Sequence, residues 1–517
     1  MRILFVFPNI DCGGVKPVGL TSIMNSCRAA GHEVRLFDTS FFDTKYIIEN
    51  NRYLGLNDAG EEILNYRHID VSGYGLIQEK KDVKEELFSA LREFQPEIVG
   101  ISALSTEWKL ARHISRAVKT FNSSIYTVLG GIHAYADPVG VITENSIDIV
   151  CIGEGEICFI DLLKKIEDGG EFEKTDGFWV KRDGHLYKNQ VGQTVHNLNK
   201  LPYLDYDFYD DRLMFRVYNG SVYRSGDQVI TRGCYRKCAY CLYHTMQQIN
   251  SDNLKLRRYE IDRIIAELSY LKKSYKLNFF RFQDATFLSL GQSYLRELAD
   301  SYAREVGLPF VIDVSPETVS KEKVRALVDM GCVAVGVGVE TGNEKIRFEI
   351  CNKPIKDKTI FEAFDLLNSY GLRTVSFLLM GFPMETLSSY WDTVRLARKA
   401  KVNAPTLCFV YPFKGTKLRE TAVKMGLFNE NAEEMEQIGY ARGWPVIKNP
   451  NIFVDEYRGL FRTFLLYVKF PERYWGEIKK AEKFDEKGNK VYQKFSRIYK
   501  EEDLYNSFFP EKKMIVI

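Results

Sequence analysis

Three cysteines, Cys234, Cys238 and Cys241, lie close together in a 517-residue chain that contains ten cysteines in all. Thiolates spaced Cys-x3-Cys-x2-Cys are candidate metal ligands. A structural zinc site would need a fourth ligand, and His244, shortly after Cys241, is available for that role. Without a fourth protein ligand, three thiolates suit a 4Fe-4S cluster in which one iron stays open. The segment therefore predicts a metal centre, and the spacing favours the cluster over zinc.

Composition and the first residues narrow the kind of protein. The net charge is +2 and 45% of the residues are hydrophobic, so no overall field attracts nucleic acid. The N-terminal run ILFVF ends at Pro8 and is too short for a signal peptide. No stretch reaches about 18 apolar residues, the length of a membrane-spanning helix. We expect a cytoplasmic protein, in which clustered thiols stay reduced and bind metal more often than they form disulfides.

The cysteine segment follows the first of six strand-like runs that alternate with helical patterns from about residue 228. These runs are Gln228–Arg232, Asn278–Gln283, Pro309–Ser315, Val333–Glu340, Arg373–Met380 and Pro405–Tyr411. Helical patterns such as Arg258–Lys273 and Ser320–Met330 separate them. Six β/α repeats predict a partial, TIM-like (β/α)6 barrel, in which chemistry takes place at the carboxyl ends of the strands. The cysteines lie at such an end.

An earlier alternation occupies the first 167 residues. Its expected strands are Arg2–Phe7, Glu33–Asp38, Ile98–Ser102, Ile125–Leu129 and Ile147–Ile152, and its helices lie near 16–30, 84–95, 106–121, 136–144 and 156–167. Continuous apolar strands between helices indicate a parallel sheet covered on both faces. The α/β pattern predicts a flavodoxin-like, doubly wound domain whose ligands lie beyond the carboxyl ends of the strands. Small-residue loops follow four of these strands, which favours a binding crevice there.

The segment CYRKCAYC resembles the signature of the radical S-adenosylmethionine (SAM) enzymes. In that family three cysteines bind three irons of a 4Fe-4S cluster, and the amino and carboxylate groups of SAM chelate the fourth. An electron then splits SAM into methionine and a 5′-deoxyadenosyl radical, which abstracts hydrogen from an unactivated carbon. The resemblance implies that Cys234, Cys238 and Cys241 hold such a cluster, and that an electron donor such as flavodoxin or ferredoxin serves it.

Four later segments resemble the SAM-binding segments of the same family. FRFQDATF resembles the part that meets the methionyl amino group, through Asp284; GVGVETGNE resembles the part near the ribose, through Glu340. FLLMGFPMET is similar to the segment beside the adenine, and YPFKGTKL to the sixth-strand segment P-x-P-G-T, from which Phe413 and Lys414 depart. The implied SAM contacts are Tyr240, Asp284, Ser315, Glu340, Met380, Gly381 and Tyr411.

The first domain, with GGIHAYADP and CIGEGE, resembles the cobalamin (vitamin B12)-binding domain of the class B radical SAM proteins. The implied cobalamin contacts are Asn9, Ser102, Leu104, Ser105, Gly130, Gly131, His133, Gly153 and Glu154. The motif Asp-x-His-x-x-Gly, which supplies cobalt with a histidine, is absent, because Gly13 follows Asp11 where the histidine would stand. We expect a lower axial position without histidine.

The roles of His133 and of four cysteines in the first domain each have two possible interpretations. His133 either contacts cobalamin or caps the helix that follows it. Cys12, Cys27, Cys151 and Cys158 are in principle available for a second cluster, although buried small apolar residues are the better interpretation of Cys27 and Cys158.

We therefore expect residues 1–167 to form a cobalamin-binding Rossmann-like domain, 168–225 a linking segment, 226–425 the radical SAM barrel and 426–517 a small α-helical C-terminal region. The resemblance implies an enzyme that methylates an unactivated carbon of a small-molecule substrate through methylcobalamin. One alternative is a radical SAM enzyme that performs a non-methylating rearrangement, cyclisation or carbon–carbon coupling. A second is a non-catalytic cobalamin sensor or carrier. No nucleic-acid partner is expected, and the sequence names neither substrate nor oligomeric state.

Overall fold

The computed structural model describes residues 1–10, 14–44, 47, 64, 67, 69–430 and 444–515. Asp11, Cys12 and Gly13, which carry the expectation about the lower axial position, lie outside the described residues. Within the described part of the chain, no helix is long and apolar enough to span a bilayer.

The strands of the described residues form two large sheets and one short two-stranded sheet. The first sheet contains β1 Arg2–Phe7, β2 Glu33–Asp38, β3 Ile98–Ser102, β4 Tyr126–Gly130, β5 Ile149–Cys151, β6 Phe178–Arg182 and β7 His185–Lys188. The second contains β8 Phe215–Tyr218, β9 Ser221–Gln228, β12 Phe279–Phe282, β13 Phe310–Val314, β14 Cys332–Glu340, β15 Arg373–Met380 and β16 Ala404–Phe409. The two-stranded sheet pairs β10 Thr231–Arg232 with β11 Arg257–Arg258 in antiparallel orientation.

The α-helices fall into three groups along the chain. Those of the first sheet are α1 Val18–Ala29, α2 Val83–Phe94, α3 Trp108–Phe121, α4 Ile132–Ala136, α5 Pro138–Thr143 and α6 Gly155–Glu167. Those of the second are α7 Leu242–Ile249, α8 Ile261–Ser274, α9 Gln292–Glu305, α10 Lys321–Met330, α11 Glu344–Glu349, α12 Asp357–Ser369, α13 Leu387–Lys399 and α14 Lys417–Lys424. The C-terminal group is α15 Val454–Lys469, α16 Trp475–Ile478 and α17 Glu486–Glu501.

The first sheet has the strand order β2-β1-β3-β4-β5, all parallel, with β6 and β7 added antiparallel at its edge. This confirms the flavodoxin-like fold. The added strands come from the region expected to link the two domains. The helix expected near 136–144 is α5, which begins at Pro138 with the Asp137 side chain as its cap, and a separate short helix, α4, precedes it.

The second sheet runs β16-β15-β14-β13-β12-β9, all parallel, with β8 antiparallel at the β9 edge. Six parallel strands in chain order confirm the partial barrel. Its first strand, however, is Ser221–Gln228 and not Gln228–Arg232. Polar residues such as Ser225, Asp227 and Gln228 are fully buried in β9, so the strand lacks the apolar run by which the others were recognised.

The C-terminal region is helical, as expected, and its aromatic residues are core residues. Tyr457, Phe464 and Tyr467 of α15 are buried, and Trp475 stacks on Trp391 of α13 with ring centroids 5.1 Å apart. The apolar face of this region therefore covers α13 and the last strands of the barrel.

Candidate active site

The cysteine loop, residues 233–241, begins directly after β10 at a glycine that no other residue could replace. Gly233 has φ of +111°, and a Cβ there would come 2.1 Å from the carbonyl oxygen of Lys255. Its backbone N–H donates to the Tyr243 hydroxyl at 2.9 Å. The side chain of Gln247 on α7 donates to the carbonyls of Cys234 and Arg236. The loop is thus fixed by hydrogen bonds from the helix that follows it.

Asp284 holds the start of this loop. Its carboxylate accepts hydrogen bonds from the backbone N–H groups of Ile230 and Thr231 and from the Thr231 hydroxyl, the last at 2.6 Å. Burial raises the pKa of Asp284 to about 6. Sequence reasoning connected this carboxylate with the amino group of SAM; in the structure its oxygens are engaged by the protein.

A second carboxylate, Glu317, holds the middle of the loop. It accepts a hydrogen bond from the Ser315 hydroxyl at 2.6 Å and from the Tyr235 hydroxyl at 2.5 Å. It also forms an ion pair with Arg236. Ser315, an expected SAM contact, therefore acts on the cysteine loop through Glu317, which the sequence analysis did not single out.

The three thiols are free cysteines at the edge of this braced loop. Burial raises the pKa of each thiol, and burial together with the nearby Cys238 and Cys234 thiols raises that of Cys241 to about 12. In the described part of the chain no three His, Cys, Asp or Glu side chains converge on a single-ion site. Buried thiols on a preformed loop fit a bound cluster, because metal ligation removes the proton that burial retains.

Glu340 lies at the end of β14 in a strained conformation. Its φ is +72°, a left-handed geometry that is uncommon outside glycine. Its carboxylate accepts a hydrogen bond from Lys353 Nζ at 2.9 Å, and the same Nζ donates to the Gly338 carbonyl at 2.8 Å. Both side chains are nearly completely buried. Lys353 also lies near the Cys238 thiol, since each group affects the other's pKa. No sequence signal marked this lysine.

The loop after β15 is fixed by a buried glutamate. Gly381, with φ of +84°, donates its N–H to Glu385, and Glu385 also accepts from the Tyr457 hydroxyl of α15 at 2.9 Å. Burial raises the pKa of Glu385 to about 7. Met380 and Tyr411, expected beside SAM, are buried at the ends of the neighbouring strands. Residues expected near the adenine are thus held in place by the C-terminal region.

At the carboxyl edge of the first sheet, the loops after β3 and β4 contact each other. Gly131 has φ of +87°, and a Cβ there would come 2.8 Å from the backbone of Ala103 and 3.1 Å from the Ser102 hydroxyl. The glycine pair therefore allows the two loops to approach closely. Leu104 on this edge is half exposed, as a side chain that covers a ligand would be.

His133 is buried at the same edge. Its Nδ1 lies 3.1 Å from the Ser105 hydroxyl, and its ring packs against Trp108 with centroids 4.9 Å apart. Nε2 is buried and has no hydrogen-bond partner among the described residues, and burial lowers the pKa of His133 to about 4. The first residue of α4 is preceded by Gly131, with no side-chain cap, so His133 does not cap that helix. A neutral imidazole with one unused nitrogen fits a polar ligand such as the cobalamin tail.

The remaining expected cobalamin contacts have different surroundings. Asn9 donates to the Ser40 hydroxyl at 2.7 Å. Gly153 has φ of +143°, and a Cβ there would come 3.0 Å from the backbone of Gly192. Gly130 ends β4. These residues lie along the carboxyl edge of the first sheet.

Glu154 joins the first sheet to the cysteine loop. Its carboxylate accepts two hydrogen bonds from Arg257, both at 2.8 Å, and lies 3.7 Å from Arg232. Arg232 in turn pairs with Glu156 at 2.7 Å. Arg232 shortly precedes Cys234, so the GEGE loop and the cysteine loop are connected by paired, buried charges. Sequence reasoning expected Glu154 to contact cobalamin.

Lys414 explains why the sixth-strand segment departs from P-x-P-G-T. Its Nζ lies 2.8 Å from the Asp137 carboxylate, in the stretch GGIHAYADP of the first domain. The neighbouring Gly415 approaches the Ala136 carbonyl so closely that a Cβ would lie 2.9 Å away. The lysine therefore provides a contact between the two sheets at their carboxyl edges.

Comparison with known proteins agrees with this arrangement. The Radical SAM superfamily model matches residues 229–397, and the B12 binding domain model matches residues 61–163. The uncharacterized methyltransferase PH0819 of Pyrococcus horikoshii is 25% identical over 369 residues, 68% of this chain and 77% of the relative. Cytidylyl-2-hydroxyethylphosphonate methyltransferase of Streptomyces wedmorensis is 22% identical over 477 residues, 85% of this chain and 83% of the relative.

Two solved structures share the whole architecture. The radical SAM methyltransferase TsrM of Kitasatospora setae, with cobalamin and a [4Fe-4S] cluster bound, has a TM-score of 0.63 at 14% identity and covers 97% of this chain and 99% of its own. The cobalamin-dependent SAM radical enzyme OxsB, with aqua-cobalamin and SAM bound, has a TM-score of 0.67 at 12% identity, covering 98% and 71%. At these identities the likeness establishes the fold.

The two domain matches lie on the two sheets whose loops are joined at the candidate site. A radical SAM domain implies a 4Fe-4S cluster and SAM, and a B12 binding domain implies cobalamin. The chain therefore combines a B12 binding domain with a radical SAM domain and is a radical SAM protein that contains a B12 binding domain.

Proposed function

We propose that this enzyme transfers a methyl group to an unactivated carbon of a small-molecule substrate. The observation that carries the proposal is the pairing of Arg232 with Glu154 and Glu156, which joins the cysteine loop to a loop of the B12 binding domain. A substrate held between the two carboxyl edges would be reached from both cofactor sites. The two relatives named as methyltransferases support the reaction type.

Each part of the site has a role in this proposal. Cys234, Cys238 and Cys241 would hold the cluster, with Asp284 and Glu317 fixing their loop. When bound, the cluster and SAM would supply a deoxyadenosyl radical, and cobalamin would carry the methyl group. The protein contributes positioning and exclusion of water, because a radical that meets solvent or the wrong hydrogen is lost.

SAM would be bound by the segments at the ends of β12 to β16. Lys353 and Glu340 place a buried positive and negative charge next to the cysteine loop, suited to the charged methionyl group. Met380, Gly381 and Tyr411 offer apolar surface for the adenine. On the opposite edge, Ser105 and His133 would contact cobalamin. A flavodoxin or ferredoxin would supply electrons.

The test is anaerobic reconstitution of the full chain with iron, sulfide and cobalamin, followed by assay with SAM, a reductant and candidate substrates. We expect S-adenosylhomocysteine and 5′-deoxyadenosine to form together with methylated product. Deoxyadenosine without methyl transfer would instead support the non-methylating alternative. A protein that binds zinc, or that binds no iron, would defeat the radical mechanism.

Two variants separate the cluster from a zinc site. Cys238→Ala removes a cluster ligand, and we expect iron content and SAM cleavage to be lost. His244→Ala removes only the ligand that zinc would need, so iron content should remain at the wild-type level. Loss of metal in the His244 variant equal to that in the Cys238 variant would favour zinc.

A further inference from the structure

The strands β12 to β15 present alternate residues to two different environments. Phe280 and Phe282 of β12, and Ile312 and Val314 of β13, are buried against the helices. The residues between them, Arg281 and Asp313, keep 34% and 37% of their side-chain surface accessible. Because successive side chains of a strand point to opposite faces, these charged residues lie on the concave inner face of the barrel.

Asp313 and an aromatic side chain lie against the same glycine on that inner face. A Cβ on Gly336 of β14 would come 2.2 Å from Asp313 Oδ1 and 2.7 Å from the ring of Phe377 on β15. Phe377 is 38% exposed, whereas its neighbour Leu378 is buried. A large aromatic ring left accessible inside a barrel, beside a carboxylate, is a feature of a ligand site more than of a packed core.

Arg281 has unused hydrogen-bonding capacity. In the described part of the chain its guanidinium donates no hydrogen bond, and its ion-pair partner is Asp313 at 3.9 Å, beyond hydrogen-bond distance. Asp313 likewise accepts no side-chain hydrogen bond there, and although burial raises its pKa, a third of the side chain remains accessible. The Arg281 guanidinium and the Asp313 carboxylate therefore keep donors and acceptors that a ligand could use.

The carboxylate beside Arg281 on the neighbouring strand already has other partners. Asp227 of β9 accepts hydrogen bonds from Gln283 at 2.6 Å and from Arg216 at 3.3 Å through one oxygen. Through the other it accepts from the Lys16 backbone at 3.2 Å, with Lys16 Nζ 3.4 Å away. Asp227 thus pairs with Arg216 and Lys16, and among the described residues the one ion-pair contact of Arg281 is the distant one to Asp313.

This inner-face group is continuous with the expected SAM contacts. A Cβ on Gly338, two residues along β14, would come 2.8 Å from Lys353 Nζ and 2.9 Å from Glu340 Oε1. Gly336 and Gly338 face the same side of the strand, so the pair Asp313–Phe377 and the pair Lys353–Glu340 lie next to each other along it. A molecule on Arg281 would therefore adjoin the place where SAM is expected.

We propose that Arg281, Asp313 and Phe377 form the substrate site, and that the substrate is a small molecule with an acidic group and a nearby hydroxyl or amino group. The proposal rests on the function proposed above and names its substrate class. Arg281 would bind the carboxylate, phosphate or phosphonate of the substrate through paired N–H donors. Asp313 would accept a hydrogen bond from the hydroxyl or amino group, and Phe377 would cover the adjoining carbon atoms.

The test is direct binding to the full-length, cluster-loaded protein, measured by calorimetry with glycerol 3-phosphate and with inorganic phosphate as probes. We expect both probes to bind, and Arg281→Gln to weaken both at least tenfold, as loss of a charge-assisted contact requires. Arg281→Lys should keep part of the affinity. Asp313→Asn should weaken glycerol 3-phosphate more than phosphate, because only the former carries hydroxyl groups on carbon atoms next to the phosphate.

Arg304→Gln is the matched control, since Arg304 lies on the exposed surface of α9 and pairs with its neighbour Glu305. It should bind both probes as the wild type does. Equal affinity in the wild type and Arg281→Gln, or no binding of either probe to the wild type, would overturn the proposal. If Arg281→Gln lowers the melting temperature but leaves probe binding unchanged, Arg281 is a structural residue and the proposal is also wrong.

A separate assay distinguishes failure of this proposal from failure of the proposed function. Reductive cleavage of SAM to 5′-deoxyadenosine without substrate reports on the cluster and SAM sites alone. Cleavage that persists while the wild type binds neither anion would overturn the substrate class and leave the proposed function standing.

Discussion

The carboxylate of Asp284 stabilises the segment that leads into Cys234. It accepts four hydrogen-bond contacts from Ile230 and Thr231, and a buried carboxylate with several donors is a rigid anchor. A 4Fe-4S cluster needs its thiolates held at fixed positions, so in the proposed function this anchor would position the cluster ligands through the backbone.

We predict that Asp284→Asn loosens the cysteine loop. The asparagine oxygen can keep the three contacts that Oδ1 accepts, but its NH2 group replaces Oδ2 and turns a donor hydrogen toward the Ile230 N–H. The negative charge that strengthens these contacts is also lost, so we expect a cost of about 1–3 kcal/mol of unfolding free energy. Iron retained after reconstitution should fall several-fold, as measured by iron analysis and cluster absorbance.

The same variant tests the role expected from the sequence. If Asp284 contacts the amino group of SAM, the variant should keep its iron and lose SAM affinity, measured by equilibrium binding. Normal iron content with weakened SAM binding would therefore contradict the anchoring role.

The element that carries the β15 loop depends on the C-terminal region. Glu385 connects the Gly381 backbone to Tyr457 of α15, and Asn449 donates to the Tyr457 hydroxyl at 2.9 Å and to the Glu385 carbonyl at 3.1 Å. The loop expected beside the adenine is therefore shaped by residues far along the chain. Helix α15 acts as a support for the barrel rim as well as a cover for its side.

We predict a specific pH dependence for Glu385→Gln. The unfolded chain loses the Glu385 proton near its ordinary pKa of 4.5, whereas the folded protein retains it until about pH 7. Between these values a rise in pH favours the unfolded state, because only the unfolded chain has lost the proton. The stabilisation from the raised pKa is fully present below pH 4.5, and the wild type loses on the order of 3 kcal/mol of unfolding free energy by pH 7. Glutamine does not titrate, so the variant should gain stability relative to the wild type across this range.

Chemical denaturation at pH 5, 6, 7 and 8 would measure the difference. Parallel curves for the wild type and Glu385→Gln would contradict the raised pKa. Tyr457→Phe serves as a second variant. In the wild type the Tyr457 hydroxyl stabilises the ionised Glu385 carboxylate, so removing it should shift the pH at which the folded protein loses the Glu385 proton to a higher value.

At the scale of the whole molecule, charged contacts between described residues join the B12 binding domain to the barrel at three places. These are the Glu154 and Glu156 pairs with Arg232 and Arg257, the Lys414–Asp137 pair and the buried Lys16–Asp227 pair. Paired charges that are removed from water resist separation, because breaking one leaves an uncompensated charge. The two carboxyl edges are thereby held at a fixed distance.

We predict that Glu156→Gln weakens both cofactor sites at once. Arg232 would keep only the distant contact to Glu154, and loss of a partner from a buried pair costs up to about 3–5 kcal/mol. Cobalamin retained and iron retained should both fall, as measured on the same reconstituted sample. Arg116→Gln, which breaks an ion pair with Glu144 at the surface, should change neither and cost less than about 1 kcal/mol. Loss of cobalamin with normal iron would show that the two loops are independent.

How far the sequence could predict the site depends on the kind of signal each residue carries. Cys234, Gly131 and Glu340 were named as candidate site residues from short motifs, because residue spacing and glycine pairs can be recognised from neighbouring residues in the chain. Lys353 and Glu317 gave no such signal, since nothing near them in the chain indicates that the fold will bring them to the cysteine loop. Glu385 lies within the segment FLLMGFPMET, but the pattern does not show that its carboxylate binds the Gly381 backbone and Tyr457. β9 was misplaced for a related reason: its buried polar residues are satisfied by distant partners.

The sequence by itself determined the two β/α units, the cysteine loop and the family resemblance, because period, apolar runs and motif spacing depend on neighbouring residues. Only the tertiary structure decided which charges meet. Hydrogen bonds and ion pairs join residues that are tens to hundreds of positions apart, as in Lys414 with Asp137 or Glu154 with Arg257. Short-range patterns contain no information about those pairings, and it is these contacts that hold the two sheets together at the site.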